Sequence, residues 1–236
     1  VHTSSTGELH YQSPDSHPGY LGPTSFAAEF VANRGLVGDL GSDSPTAGLG
    51  SSSQLQPYWL NKISDVLMLC ADFSLIERLV SDFYDQSPAP IIPAPFVRNA
   101  FPSTRKLCQK YLPGNITGLV SKIINNTAKI FQIPSSTQGC EFHELYTGAN
   151  FRLEILGIML AEAGRSTQFG TGSGVFTIRG EPQERRQFAQ QMYLASNIIL
   201  QVCKMLTPTN DLLVWLVYEN MLLSSIIHGD SSKYAL

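Results

Sequence analysis

"TNDLLVWLVYENMLLSSIIHG", residues 209–229, carries Leu, Val, Trp, Tyr, Met and Ile around nearly its whole helical circumference. A stretch like this either spans a membrane or is enclosed by other helices. Glu219 and Asn220 break the apolar run at its middle, and Gly229 serves as its C-cap. The stretch is therefore read as the central helix of a helical bundle rather than a membrane span. An ionised carboxylate has no place among Leu, Val and Met unless it finds a partner or takes up a proton. Arg152, in the apolar run "NFRLEILGIML" beside Glu154, is one candidate. Glu219 is predicted to pair with Arg152 or a similar base and so to hold helix register.

Outward from this segment, the spacing keeps pointing to helices. "YWLNKISDVLMLC" (58–70) sets Trp59, Ile63, Val66, Leu67 and Cys70 on one face, and "DFSLIERLVSDFYDQ" (72–86) does the same with Ile76, Leu79, Val80, Phe83 and Tyr84. Both follow the i, i+3, i+4, i+7 pattern of an amphipathic helix. Pro88, Pro90, Pro93 and Pro95 follow, and their density predicts extended chain laying Ile91, Ile92 and Phe96 against the bundle. Further helices are predicted over 103–112, 115–131, 147–165 (capped by Thr147) and 181–206, with Pro182 in the first turn. The stripe of the second includes Ile123, Ile124 and Ile130. No stretch reads as a strand, so the expected fold is all-α, an irregular multi-helix bundle with an extended N-terminal arm. The arm and a Gly/Ser linker occupy 1–56 and the helical domain 57–236.

The bulk numbers narrow the function classes. Charged residues make up 15% of the chain and the formal charge is −3, with no dense Lys/Arg run. Arg105-Lys106 and Arg185-Arg186 read as solvated helix faces, so direct nucleic-acid contact is not expected. Cys70, Cys108, Cys140 and Cys203 form no CxxC pair and read as buried free thiols in a reducing compartment. The sequons at Asn115 and Asn125 fall in predicted helix and are discounted.

Three stretches hold residue types that could carry chemistry. "CEFHELY" places His143 and Glu144 as in a HExxH metal helix, but Thr147 stands where the second His belongs. Cys140 with His143 lacks a third, orienting group. "GTGSG" (170–174) follows a helix rather than a strand and lacks the GK[ST] of a phosphate loop. "HGDSS" (228–232) lacks the nucleophile elbow and reads as a helix stop, with Asp230 or Ser231 starting the next element. No acid, base, nucleophile or metal set converges, so the chain is expected to be non-catalytic and without a cofactor of its own.

A fourth stretch is aromatic rather than chemical. "YLGPTSFAAEF" (20–30) lies in the polar arm, with Tyr20, Phe26 and Phe30 around a turn at Gly22-Pro23, and with Ser25 or Thr24 as a helix cap. Ser25 has no His or Asp in a triad-like context, and the aromatics are predicted to pin the arm onto the bundle. This stretch resembles the Tyr-x-Gly-x-Ser/Thr-Ser motif that opens the middle homology region of fungal zinc-cluster transcription factors. "SLIERLVSDFYDQSPAPIIPAPFVRNAF" (74–101) resembles that family's helix followed by a Pro-x-Phe segment. "YTGANFRLEILGIMLAEAGR" and "TNDLLVWLVYENMLLSSIIHGDSSKYAL" are similar to its later helices, including the Gly-Asp-x-Ser end at Gly229 and Asp230.

The resemblance covers about residues 18–236, and its order carries more weight than any one piece. It implies a regulatory domain of a nuclear transcription factor that restrains or transmits activation. Its partners would be other segments of the full-length factor and a small apolar effector, with no membrane. Zinc and DNA reading would belong to a separate six-cysteine module N-terminal to this chain. The family continues past the position of Leu236 with further helices, so the resemblance also implies a domain cut short there. Tyr20, Gly22, Ser25, Phe26, Arg152, Glu219, Asn220, Gly229 and Asp230 are the motif positions, read as structural.

Overall fold

The computed structural model describes residues 55–87, 89–169, 175–178 and 181–229. All of these belong to one unit, Ala47–Leu236. The motif residues Tyr20, Gly22, Ser25, Phe26 and Asp230, the pinning role given to Phe30, and the 170–174 loop lie outside the described residues.

The fold is all-α, several helices packed together as the spacing predicts. Helix α1 (Pro57–Leu69) starts on a proline at its first position, where the missing N–H costs no hydrogen bond. It buries Ile63, Val66 and Leu67, and Cys70 continues the face in a 3-10 turn, Cys70–Asp72. Helix α2 (Phe73–Gln86) buries Ile76, Val80, Phe83 and Tyr84 from the predicted face.

The proline-rich stretch departs from the expected extended chain. Ala94–Arg98 forms a short helix, α3, with Pro93 as N-cap and Pro95 in its first turn. Prolines there occupy positions whose N–H groups have no intrahelical partner, so their density is tolerated. Ile92 and Val97 are buried, while Ile91 points outward.

Helices α4 (Phe101–Tyr111) and α5 (Ile116–Thr127) follow. The Asn115 side chain caps α5, accepting from Gly118 N at 3.0 Å. This helix ends four residues short of the predicted 131, leaving Ile130 exposed. Its last carbonyls are taken by a side chain, described below. Helix α6 (Leu153–Ser166) begins six residues after Thr147, the predicted cap. A 3-10 turn at Gly148–Asn150 and extended backbone at Arg152 intervene.

Two short strands correct the expectation that no strand would form. β1 (Val175–Ile178) pairs antiparallel with β2 (Glu181–Glu184), setting Thr177 opposite Pro182. Val-Phe-Thr-Ile is a β-branched and aromatic run, and the residue before a proline is biased to extended backbone. Pro182 thus ends up in a strand, and helix α7 (Arg185–Leu206) begins four residues after the predicted start at 181.

The last helix, α8 (Asp211–His228), is not the central one. That position belongs to α6, against which α2, α7 and α8 all pack. Every α6 residue except Arg165 is buried. A Cβ on Gly157 would lie 2.7 Å from Leu216 of α8 and 2.9 Å from Ile199 of α7, and one on Gly164 would meet Leu223 and Met192 as closely. Small residues in α6 therefore let two large-residue helices approach it together. Helix α8 buries only one side; Val214 (53% exposed), Val217 and Met221 (43%) face outward. Among the described residues, no helix is long and apolar enough to cross a membrane.

Candidate functional site

The polar residues of the motif helices come together at the two ends of α6. At its N-terminal end, Arg152 is 3% exposed and Glu154 fully buried. Arg152 stands at the N-cap position in extended backbone, which turns its side chain back toward the end of α5. There Nη1 donates to Asn126 O (2.8 Å) and Lys129 O (2.9 Å), and Nη2 donates to Thr127 O (2.8 Å). A guanidinium on the orphan carbonyls of a helix end satisfies both their hydrogen bonding and the negative end of the helix dipole. This is why α5 stops at Thr127.

The same guanidinium donates to Glu154, from Nη2 to Oε1 at 2.8 Å and from Nε at 3.2 Å. Asn210, which caps α8 by accepting from Leu213 N at 3.0 Å, reaches the Glu154 Oε1 at 3.4 Å. Thr127 Oγ1 accepts from Leu153 N (2.9 Å), and Asn126 Nδ2 donates to Ala149 O and Phe151 O. The Phe131 ring lies against Arg152, 5.4 Å from its guanidinium carbon. The predicted pairing of Glu219 with Arg152 is thus corrected: Arg152 is fully engaged by Glu154 and by α5.

Glu219 instead pairs with Arg165, at the other end of α6. The prediction allowed a similar base; periodicity along one helix carries no information about which arginine of another faces it. Arg165 Nη1 donates to Glu219 Oε2, and its guanidinium lies 4.7 Å from the Phe83 ring centroid. Beside this pair sits Glu162, fully buried, with Oε1 accepting from Tyr84 Oη at 2.6 Å. Glu162 Oε2 and Arg165 Nε, both buried, have no hydrogen-bond partner in the protein.

Burial raises the Glu162 carboxyl well above the usual range, and the Glu219 charge adds to this; Tyr84 and Arg165 act in the opposite direction. Burial also raises Glu219, against the pull of Arg165. Burial and the nearby Glu162 keep the Tyr84 phenol protonated. Sequence reasoning flagged Glu219 but missed Glu162, Arg165 and Tyr84. The same signal, an acid inside "LEILGIMLAEAGR", was present at Glu162.

The remaining motif residues have local duties. Asn220, 6% exposed, donates from Nδ2 to Ser196 Oγ at 2.7 Å and ties α8 to α7. Gly229 closes α8 at φ 72°, ψ 175°, a backbone region essentially restricted to glycine. His143 sits in a 3-10 turn, Phe142–Leu145, with Nδ1 2.9 Å from Cys140 O, and Glu144 is exposed.

Cys70, Cys108 and Cys203 are buried free thiols as expected, and burial pushes Cys108 up to about 11. Cys140, expected to be buried with them, is exposed, in a turn just ahead of Phe142–Leu145. Among the described residues, no three or more His, Cys, Asp and Glu side chains gather as a metal site.

Chemically, the two clusters join helices. A cleft of about 670 Å³ opens beside Thr167, Arg185, Arg186 and Ile227, and one of about 220 Å³ reaches the edge of Arg152 past Lys129 and Phe131. Neither cleft is lined by Tyr84, Glu162, Arg165 or Glu219. Comparison of the chain with protein-family models, with curated proteins and with solved structures finds no match in any of the three.

Proposed function

We propose that this chain is a non-catalytic regulatory domain of a fungal zinc-cluster transcription factor, acting in the nucleus through conformational control of attached DNA-binding and activation segments. Its motifs resemble that family's middle region. The observation that carries the reading is the use made of the motif's polar residues. Arg152, Glu219 and Asn220 join helices inside the fold, and only the edge of Arg152 reaches a cleft. Side chains used this way set helix register, which suits a domain that works by changing shape. On this reading zinc and DNA contact belong to a separate N-terminal module. The partners are other segments of the same factor, and a small apolar effector bound between helices would bias the domain's shape.

A second reading, a free-standing helical interaction domain without a DNA-binding role, is favoured by the outward apolar side chains Val214, Val217 and Met221 of α8. The test inserts the full chain between a heterologous DNA-binding module and an activation segment and measures reporter transcription. A several-fold change on insertion, altered by Arg165→Met, supports the regulatory reading. Reporter output unchanged by a folded, nuclear chain overturns it and leaves the interaction domain.

A further inference from the structure

We propose that Tyr84, Glu162, Arg165 and Glu219 form a proton-held clasp: one carboxylic proton, carried by Glu162, keeps α2 and α8 closed on α6, and its loss loosens them. The inference stands whether or not the chain regulates transcription.

Two carboxylates and one guanidinium meet in the interior, with Glu162 fully buried and Glu219 1% exposed. Arg165 bonds Glu219 directly, so Glu219 is the ionised member. Glu162 receives one hydrogen bond, from Tyr84, and its Oε2 receives none. A buried carboxylate oxygen without a donor is far cheaper to keep neutral than charged.

No cation bonds Glu162. On α2, Tyr84 supplies a neutral donor. Arg98 of α3 lies 5.6 Å from the Tyr84 ring centroid; its Nη2 is tied to Asp85 at 2.5 Å and to Ser81 O at 2.9 Å, and its buried Nε has no partner, but it makes no bond to Glu162. On α8, Glu219 adds negative charge; α7 meets Gly164 of α6 with Met192 and bonds Asn220 of α8 with Ser196. Arg185, at the start of α7, donates to Thr167 O beyond the end of α6.

The native state thus binds a proton that an unfolded glutamate releases above about pH 4.3. The stabilisation is complete in acid and is lost as pH rises toward the raised native value. Once Glu162 ionises, two carboxylates compete for Arg165, and repulsion acts between α6 and α8.

The test follows urea unfolding of the full chain from about pH 5 to about pH 9, for the wild type and for Glu162→Gln, whose amide keeps an acceptor for Tyr84 without a charge. In the wild type, the midpoint should fall as pH rises, with about one proton released per chain on unfolding near neutrality. The variant should release about one proton fewer and be the more stable of the two at the alkaline end. Amide exchange in α2 and α8, corrected for its intrinsic pH dependence, should quicken with pH in the wild type alone.

Parallel pH profiles for the two proteins overturn the proposal. If Glu162→Gln does not fold, infrared difference spectra of the wild type decide. A buried carboxylic-acid carbonyl band at neutral pH that vanishes on raising the pH supports the clasp, and its absence overturns it.

Discussion

At the N-terminal end of α6, one arginine meets one glutamate and three carbonyls from the end of α5. At the C-terminal end, one arginine meets one of two glutamates, and two buried polar atoms have no partner. Both ends pair an arginine with a buried glutamate. What differs is the matching of donors to acceptors. A matched cluster fixes geometry, because any displacement strands several groups at once. An unmatched one depends on a proton, so solution conditions bear on how tightly it holds.

The largest effect should come from the matched end. Arg152→Met strips Glu154 of its buried partner and uncaps α5, and should cost about 3–5 kcal/mol in urea unfolding. A loss below about 1 kcal/mol would mean that the matched cluster does not hold the fold together. Arg165→Met should cost less, about 1.5–3 kcal/mol at neutral pH. Its former partner Glu219 can take up a proton, so the deficit should shrink in acid and grow in alkali. A deficit independent of pH would remove the contrast between the two ends.

Packing between the ends is tested by Gly157→Ala. The added methyl meets Leu216 and Ile199 at 2.7 and 2.9 Å and should cost about 1–3 kcal/mol, seen as a lowered melting temperature. The smallest effect is expected for Asn210→Ala, which removes the α8 cap and the weak reach to Glu154. About 1 kcal/mol is expected by the same measurement. A much larger loss would show that Asn210 belongs to the matched cluster rather than to its rim.

Much of the helical fold was legible in the chain, for reasons visible at particular residues. The buried faces of α1 and α2 follow the 3.6-residue spacing of Ile63, Val66 and Leu67 and of Ile76, Val80 and Phe83. The ends were less legible. Helix α5 stops at Thr127 because Arg152, 25 residues away, takes its carbonyls. Helix α7 starts at Arg185 because Glu181–Glu184 pairs with another strand. In each case a distant partner overrides a local preference, and a window of sequence does not contain that partner. Proline in α3 was misjudged for a different reason: what mattered was its position in the first turn, not its density.

The candidate site divides the same way. That Glu219 needs a partner follows from its neighbours in sequence, through the cost of a buried charge. Which partner it takes depends on which face α6 turns to α8, and that is set by Gly157 and Gly164 letting the helices close at one rotation. The sequence by itself determined that the chain is helical, that its apolar segments must be covered, and that its interior acids need partners. These are consequences of periodicity and desolvation, which are local. Only the tertiary structure decided that α6 rather than α8 lies at the centre, that Arg152 belongs to Glu154 and Arg165 to Glu219, and that Glu162 is left without a cation of its own. Those outcomes depend on distances between segments, which are set by packing.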